Sequence, residues 1–319
     1  MSNTRPAVIA HRGASGYLPE HTLEAKALAY AMGASYLEQD VVASRDDELI
    51  VLHDIHLDRV TDVAGRFPDR SRDDGRYYVR DFDLAELRTL NVHERRGSDG
   101  QTAVYPGRFP TDAGRFSIAT LRDEIELLQG LNRSSGRQVG IYPEVKSPKW
   151  HRQEGVDLSK LLLGVLDEYG YRSSADNVFV QCFDATELRR IREELGCGLR
   201  LVQLIGENDW GESDTDYDVL KTASGLLEIA QVADGVGPWI YQLFTLADID
   251  GQPISSGFVR AAHAAGLLVH PYTFRADDLP PGFENMSEMV DWFVGTLKID
   301  GLFTDFTDVA VAALQNPET

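Results

Sequence analysis

Eight short apolar or alternating runs recur along this chain with helical stretches between them, and no other feature narrows the possible folds as far. The runs cover residues 7–11, 36–42, 139–145, 178–182, 199–204, 235–238, 267–272 and 301–304. Amphipathic stretches at 22–32, 121–131, 158–169 and 187–195 have the apolar spacing of helices packed on a sheet. Gly33, Gly170 and Gly196 follow three of them, where a helix ends most easily in a left-handed residue. Eight βα units predict an α/β fold, a TIM (β/α)8 barrel, with residues 1–319 forming one domain.

A ninth run, 49–53, follows 36–42 too closely for a crossover helix. Its connector, Ser44-Arg45-Asp46-Asp47-Glu48, is a polar turn, so the two runs are expected to form an antiparallel hairpin that folds His53 back toward Glu38 and Asp40. From about 57 to 117 the periodicity fails apart from one helix-like piece at 84–90, which predicts a small inserted subdomain after the second strand. A second irregular stretch, 206–217, is acidic and contains Trp210. Both follow barrel strands, on the face where such barrels keep their active sites, and are candidates for a lid.

Glu38 and Asp40 stand two apart in a strand-like run, so their carboxylates share one face. Pointing into a barrel they repel each other unless a cation sits between them. Ca²⁺ or Mg²⁺ suits such ligands, and Glu144, at an equivalent strand end, supplies a third. His11 and His53 end two strands and bring imidazoles that titrate near neutrality, one able to accept a proton while the other donates. Arg12 offers a planar fork for phosphate oxygens, and Lys146 a point charge. A lone histidine is more often packed than reactive; here the joint occurrence at strand ends is the signal. Gln181 and Gln203 are amides in apolar strands that need partners, from a ligand or from backbone. Phe183, Tyr272 and Trp210 are candidates to wall the apolar side of a polyol, whereas His270 lies inside an apolar run and reads as a core histidine.

The composition removes several partner classes. With 31 Lys plus Arg against 51 Asp plus Glu the formal charge is −20, which opposes nucleic acid and anionic membrane surfaces. A small substrate with one phosphate remains open where local cations reverse the sign. No stretch has the roughly 18 apolar residues of a membrane span. Cys182 and Cys197 alone make neither a disulfide framework nor a thiolate zinc site. The first strand begins too early to leave room for a signal peptide, so a cytoplasmic location is expected if Met1 is the native start, and a periplasmic one if a leader has been removed.

Ala10-His11-Arg12-Gly13, Pro19-Glu20-His21-Thr22, Leu37-Glu38-Gln39-Asp40-Val41, Leu52-His53-Asp54 and Pro143-Glu144-Val145-Lys146, in that order, resemble the glycerophosphodiester phosphodiesterase family. The resemblance covers nearly the whole chain. The long insertion, Tyr105-Pro106-Gly107-Arg108-Phe109-Pro110, and Gly301-Leu302-Phe303-Thr304-Asp305 resemble its bacterial periplasmic-type branch; His21 stands where the family commonly has Asn. The resemblance implies a metal-dependent hydrolase of glycerophosphodiesters, such as glycerophosphocholine or glycerophosphoethanolamine, that yields sn-glycerol 3-phosphate and an alcohol. It implies Glu38, Asp40 and Glu144 as ligands of one divalent cation, Ca²⁺ or Mg²⁺, His11 and His53 as acid/base pair, and Arg12 and Lys146 as phosphate contacts. Gln181, Phe183 and Tyr272 complete the expected substrate site, with His11 expected as the base, His53 as the acid, and the nucleophile either the glycerol 2-hydroxyl or water. Two other readings are a glycosidase pairing Glu38 or Asp40 with Glu144, which leaves the histidines idle, and a barrel that binds phosphodiesters without turnover.

Overall fold

The computed structural model describes residues 5–247 and 251–315, and every one of the eight runs contains a strand. β1 (Ala7–Ala10) leads through α1 (Leu23–Met32) to β2 (Tyr36–Ala43), which turns back into β3 (Leu49–Val51). After a long irregular segment come α2 (Leu121–Ser135), β4 (Gly140–Val145), α3 (Leu158–Glu168), β5 (Phe179–Cys182), α4 (Ala185–Glu193) and β6 (Arg200–Ile205). The chain continues through α5 (Ala223–Ile229), β7 (Gly235–Pro238), α6 (Phe258–Ala264), β8 (Leu268–Val269), α7 (Met286–Trp292), β9 (Gly301–Thr304) and α8 (Thr307–Gln315). None of the described helices is long and apolar enough to cross a membrane.

The parallel strands run in the order β8, β7, β6, β5, β4, β2, β1, β9. Asp300 N donates to Val269 O at 3.0 Å, Phe303 N to Pro271 O at 3.0 Å, and Phe274 N to Phe303 O at 2.8 Å, bringing the two ends together into a nearly closed barrel. β3 pairs antiparallel with β2, with Val41 opposite Val51, as the short connector predicted. The run at 267–272 yields only a short regular strand because Pro271 has no N–H to donate. His270 N and Tyr272 N still bond to Val236 O and Pro238 O, so the segment follows β7 to the rim.

Inside the barrel Ile9, Tyr142, Phe179, Val202 and Phe303 form a plug, with Tyr142 stacked on Phe179 at 4.9 Å between centroids. His270 belongs to this layer: its Nδ1 pairs with the Tyr142 hydroxyl at 2.9 Å, which satisfies it as a core histidine. Gly13 makes the turn after β1 possible, since its φ is +86° and a Cβ there would lie 2.8 Å from the Ala25 carbonyl carbon of α1. Thr22 caps α1, accepting from Ala25 N at 3.2 Å, and Gly33 ends it in the left-handed region.

The segment after β3 covers the open face of the hairpin. Val42, Ile50 and Leu52 pack there with Leu57, Val79, Phe82, Leu87 and Val92 in an apolar cluster separate from the one beneath the barrel helices. The helix-like piece at 84–90 is regular only from Leu84 to Leu87, opened by a reciprocal Asp83 and Glu86 cap, and Leu87 and Leu90 are its buried anchors.

Candidate active site

β2 and β4 lie in a register that sets Asp40 opposite Glu144, and β5 continues the row with Gln181 opposite Glu144. Strand pleating turns Glu38 to the same face as Asp40, whereas Gln39 lies on the other face and takes a hydrogen bond from Tyr142 N at 3.2 Å. His11 and Arg12 leave the end of β1 next door, with Arg12 in the left-handed region at φ 61°. The hairpin returns His53 to the same rim, Leu52 N bonding to Asp40 O at 2.9 Å. The ten residues that the resemblance assigned to the site, namely His11, Arg12, Glu38, Asp40, His53, Glu144, Lys146, Gln181, Phe183 and Tyr272, line one cavity of about 210 Å³. Trp210 and Trp239 close its apolar side. Gln203 is not among them; it donates to the carbonyls of Phe183 and Leu204, both at 2.9 Å, so its role is structural.

The two histidines are built alike. His11 Nδ1 donates to Asp305 Oδ1 at 2.6 Å and His53 Nδ1 to Asp54 Oδ1 at 2.5 Å, which keeps the proton on Nδ1 and leaves Nε2 for the cavity. Burial, then the Arg12 charge, pushes His11 down to about 4 against the pull of Asp305. His53 is lowered by burial and by Arg12 and Lys146. Both rings are therefore neutral near pH 7. Lys146 Nζ lies 3.4 Å from His53 Nε2.

The carboxylates carry the opposite strain. Burial and the neighbouring Asp40 hold Glu38 well above its usual range, and burial pushes Glu144 up to about 8 although Lys146 sits 2.8 Å away. Asp40 stays ionised: burial opposes it, but the Lys146 charge, the His21 hydrogen bond at 2.7 Å and the Arg12 charge win. Asp40 Oδ1 is buried without a hydrogen-bond partner among the described residues, as is Gln181 Oε1. Ligand atoms of His21, Glu38 and Asp40 lie within 4.8 Å of one another, a spacing that could hold a metal ion. Glu144 faces the same cavity but is outside that tight group, drawn to Lys146.

Arg12 is held on three sides. Its main-chain N donates to Glu38 Oε2 at 2.6 Å, Nη1 reaches Glu20 at 3.2 Å, and Nε is 3.3 Å from Asp40 Oδ2. Behind β2, fully buried Lys26 donates to the Glu38 carbonyl oxygen and to Glu124 Oε2, the latter at 2.8 Å.

Sequence reasoning assigned no role to Asp305, Asp54, His21, Arg95, Arg108 or Arg275. Asp305 follows the last strand directly, so the strand-end argument used for Glu144 could have found it. Asp54 and His21 sit inside the quoted motifs. Arg95, Arg108 and Arg275 come from irregular segments and had no periodic signal: Arg95 bridges Glu20 and Asp54 at 2.6 Å each, while Arg108 and Arg275 each reach Asp305 Oδ2 at 2.8 Å.

Comparison with known proteins gives the same picture across the chain. Residues 11–309 match the model of the glycerophosphoryl diester phosphodiesterase family. A glycerophosphodiester phosphodiesterase of Haemophilus influenzae is 44% identical over 99% of this chain and 92% of its own length. Another, of Treponema pallidum, is 38% identical over 97% of this chain and 92% of its own. Among solved structures, one from Silicibacter pomeroyi DSS-3 superposes with a TM-score of 0.72 at 22% identity, covering 98% of this chain and 94% of that one. An Oleispira antarctica phosphodiesterase, solved with the product sn-glycerol-3-phosphate, superposes with a TM-score of 0.64 at 19% identity over 98% and 97%. These two bear on the fold.

Proposed function

Because the chain belongs to the glycerophosphoryl diester phosphodiesterase family, we propose that this cavity hydrolyses small glycerophosphodiesters, such as glycerophosphocholine or glycerophosphoethanolamine, to sn-glycerol 3-phosphate and an alcohol, with one divalent cation. The observation that carries the reading is the matched pair of neutral histidines, each tied through Nδ1 to a carboxylate and each lining a cavity with three buried carboxylates. A glycosidase would leave both pairs without work.

The donor set fits a hard cation. Asp40 Oδ1 has no hydrogen-bond partner among the described residues, and burial holds Glu38 and Glu144 above their usual ranges. Glu38, Asp40 and Glu144 would hold Ca²⁺ or Mg²⁺, with His21 fixing Asp40. When bound, such an ion contributes positive charge where the phosphoryl oxygens gain negative charge.

The chain's own residues do the rest. Arg12 and Lys146 face the anionic oxygens, and their charge is worth most where water is excluded. His11 Nε2 takes the proton of the attacking hydroxyl, and the imidazolium formed is stabilised by Asp305. In its imidazolium form, protonated from solvent and stabilised by Asp54, His53 returns the Nε2 proton to the departing alkoxide. Each transfer is worth about 10²–10⁴-fold. Phe183 and Tyr272 wall the apolar edge of glycerol, and Gln181 offers its unpaired carbonyl oxygen to a hydroxyl.

A coupled assay for glycerol 3-phosphate tests the reading. His11→Ala and His53→Ala should each lose about 10²–10⁴-fold in turnover with unchanged circular dichroism. Chelator should abolish wild-type activity, and Ca²⁺ or Mg²⁺ should restore it. Full turnover in EDTA with no metal by elemental analysis would remove the cation from the mechanism, and near-wild-type turnover in either variant would remove that histidine.

A further inference from the structure

A second cavity, of about 270 Å³, adjoins the first and shares His11, Arg12, His53 and Arg275 with it. The shared histidines and Arg12 are the groups assigned above to phosphate and to proton transfer. A diester lying across them sends one substituent into each cavity. The first has the aromatic walls and polar floor that suit glycerol, so the second is left for the departing alcohol.

Three of the four carboxylates in the wall of this second cavity are already neutralised by neighbours. Glu20 is held by Arg95 at 2.6 Å and by Arg12 at 3.2 Å, and Asp54 by Arg95 at 2.6 Å and His53 at 2.5 Å. Asp305 is held by His11, Arg108 and Arg275. Glu94 is the exception. It is 3% exposed, makes no ion pair among the described residues, and its Oε2 is buried with no hydrogen-bond partner there. The main-chain N–H of Arg95 favours its ionised form. Burial, followed by the nearby Glu20 charge, pushes it up to about 7. A carboxyl kept this way without a partner either holds a proton or gains its partner from a ligand that brings a cation.

The wall also says which kind of cation fits. Apart from the histidines, Tyr105 is its one aromatic side chain among the described residues, and the Arg108 guanidinium already lies 3.7 Å from the centre of that ring. One ring, already approached by Arg108 and, at 5.6 Å, by Arg275, falls short of the aromatic cage in which a quaternary ammonium binds best. A primary ammonium instead has N–H donors that pair directly with a carboxylate.

We propose that the second cavity is the subsite of the leaving alcohol and that Glu94 receives a protonated primary amine on it, which makes ethanolamine-type esters the preferred substrates. The assignment rests on the hydrolysis reading above and deepens it by naming the head-group class.

The test compares kcat/KM for glycerophosphoethanolamine and for the neutral-headed glycerophosphoglycerol in the wild type and in Glu94→Gln, by release of glycerol 3-phosphate with the divalent cation present. The ratio of the two should fall about tenfold in the variant, carried by KM, the scale of one charge-assisted hydrogen bond. Partial unfolding cancels in the ratio, since both rates come from one preparation. A ratio that falls by less than about threefold overturns the assignment of Glu94, whether both substrates suffer alike or neither does. Wild-type protein that releases glycerol 3-phosphate from neither ester refutes the hydrolysis reading itself, whereas turnover of both with an unmoved ratio refutes the Glu94 assignment alone.

Discussion

Replacing Asp305 by Asn separates what its shape does from what its charge does. The carboxylate is 2% exposed; Oδ1 accepts from His11 Nδ1 at 2.6 Å, and Oδ2 accepts from Arg108 Nη2 and Arg275 Nε, both at 2.8 Å. An amide of the same shape has one acceptor and one donor end. Two guanidinium donors converge on the Oδ2 position, so the amide oxygen must turn there and the NH₂ must face His11. His11 Nδ1 then accepts instead of donating, the ring proton moves to Nε2, and the nitrogen that faces substrate can no longer take a proton. The expected loss is that of a general base, about 10²–10⁴-fold in kcat, with KM little changed. The fold should survive, because all three hydrogen bonds persist in weaker form, at a cost of about 1–3 kcal/mol. Raising the pH should not rescue activity: Asp305 raises the His11 pKa, so losing its charge lowers an already depressed value further, and the ring is neutral but in the wrong tautomer. Coupled glycerol 3-phosphate release from pH 5 to 9, beside a thermal melt and ¹⁵N chemical shifts of His11, reads all of this. A variant with more than a tenth of wild-type kcat, or with the His11 proton still on Nδ1, refutes the reasoning.

Two further outcomes concern stability. Lys26→Met leaves Glu124 buried without its cation and should cost about 3–5 kcal/mol by urea denaturation, whereas Lys26→Met with Glu124→Leu should recover most of that; equal losses would mean that the pair itself is what stabilises. His270, pushed down to about 4 by burial, binds fewer protons in the fold than in the unfolded chain between pH 6.5 and about 4, so its contribution falls with pH. From pH 7 to 5 that is roughly 1.36 × 1.5, or about 2 kcal/mol. His270→Gln should lose that much less stability over the interval than the wild type, and parallel declines would contradict the assignment.

The legible parts of this protein are those set by short-range pattern. The pleat puts Glu38 and Asp40 on one face, a five-residue polar connector can only be a hairpin, and so His53 returns to the rim. Parallel register then aligns Asp40 with Glu144 and Glu144 with Gln181, which pattern alone suggested but could not fix. What stayed hidden depends on contacts between distant, irregular segments. Nothing near Arg95 or Arg108 in the chain announces that they neutralise Glu20, Asp54 and Asp305. The pairing of Glu144 with Lys146 was likewise visible as a neighbourly spacing, without the information that Lys146 also lies beside His53 and Asp40.

The His11 to Asp305 hydrogen bond joins residues 294 positions apart, from the first barrel strand to the residue just past the last. Chemistry is thereby coupled to completion of the ring. During synthesis, with the N-terminal end emerging first, His53, Arg12 and the carboxylate row are all made before β9. The proposed base lacks its orienting partner until that strand slots in beside β1. Turnover itself thus reports that the circle has been closed.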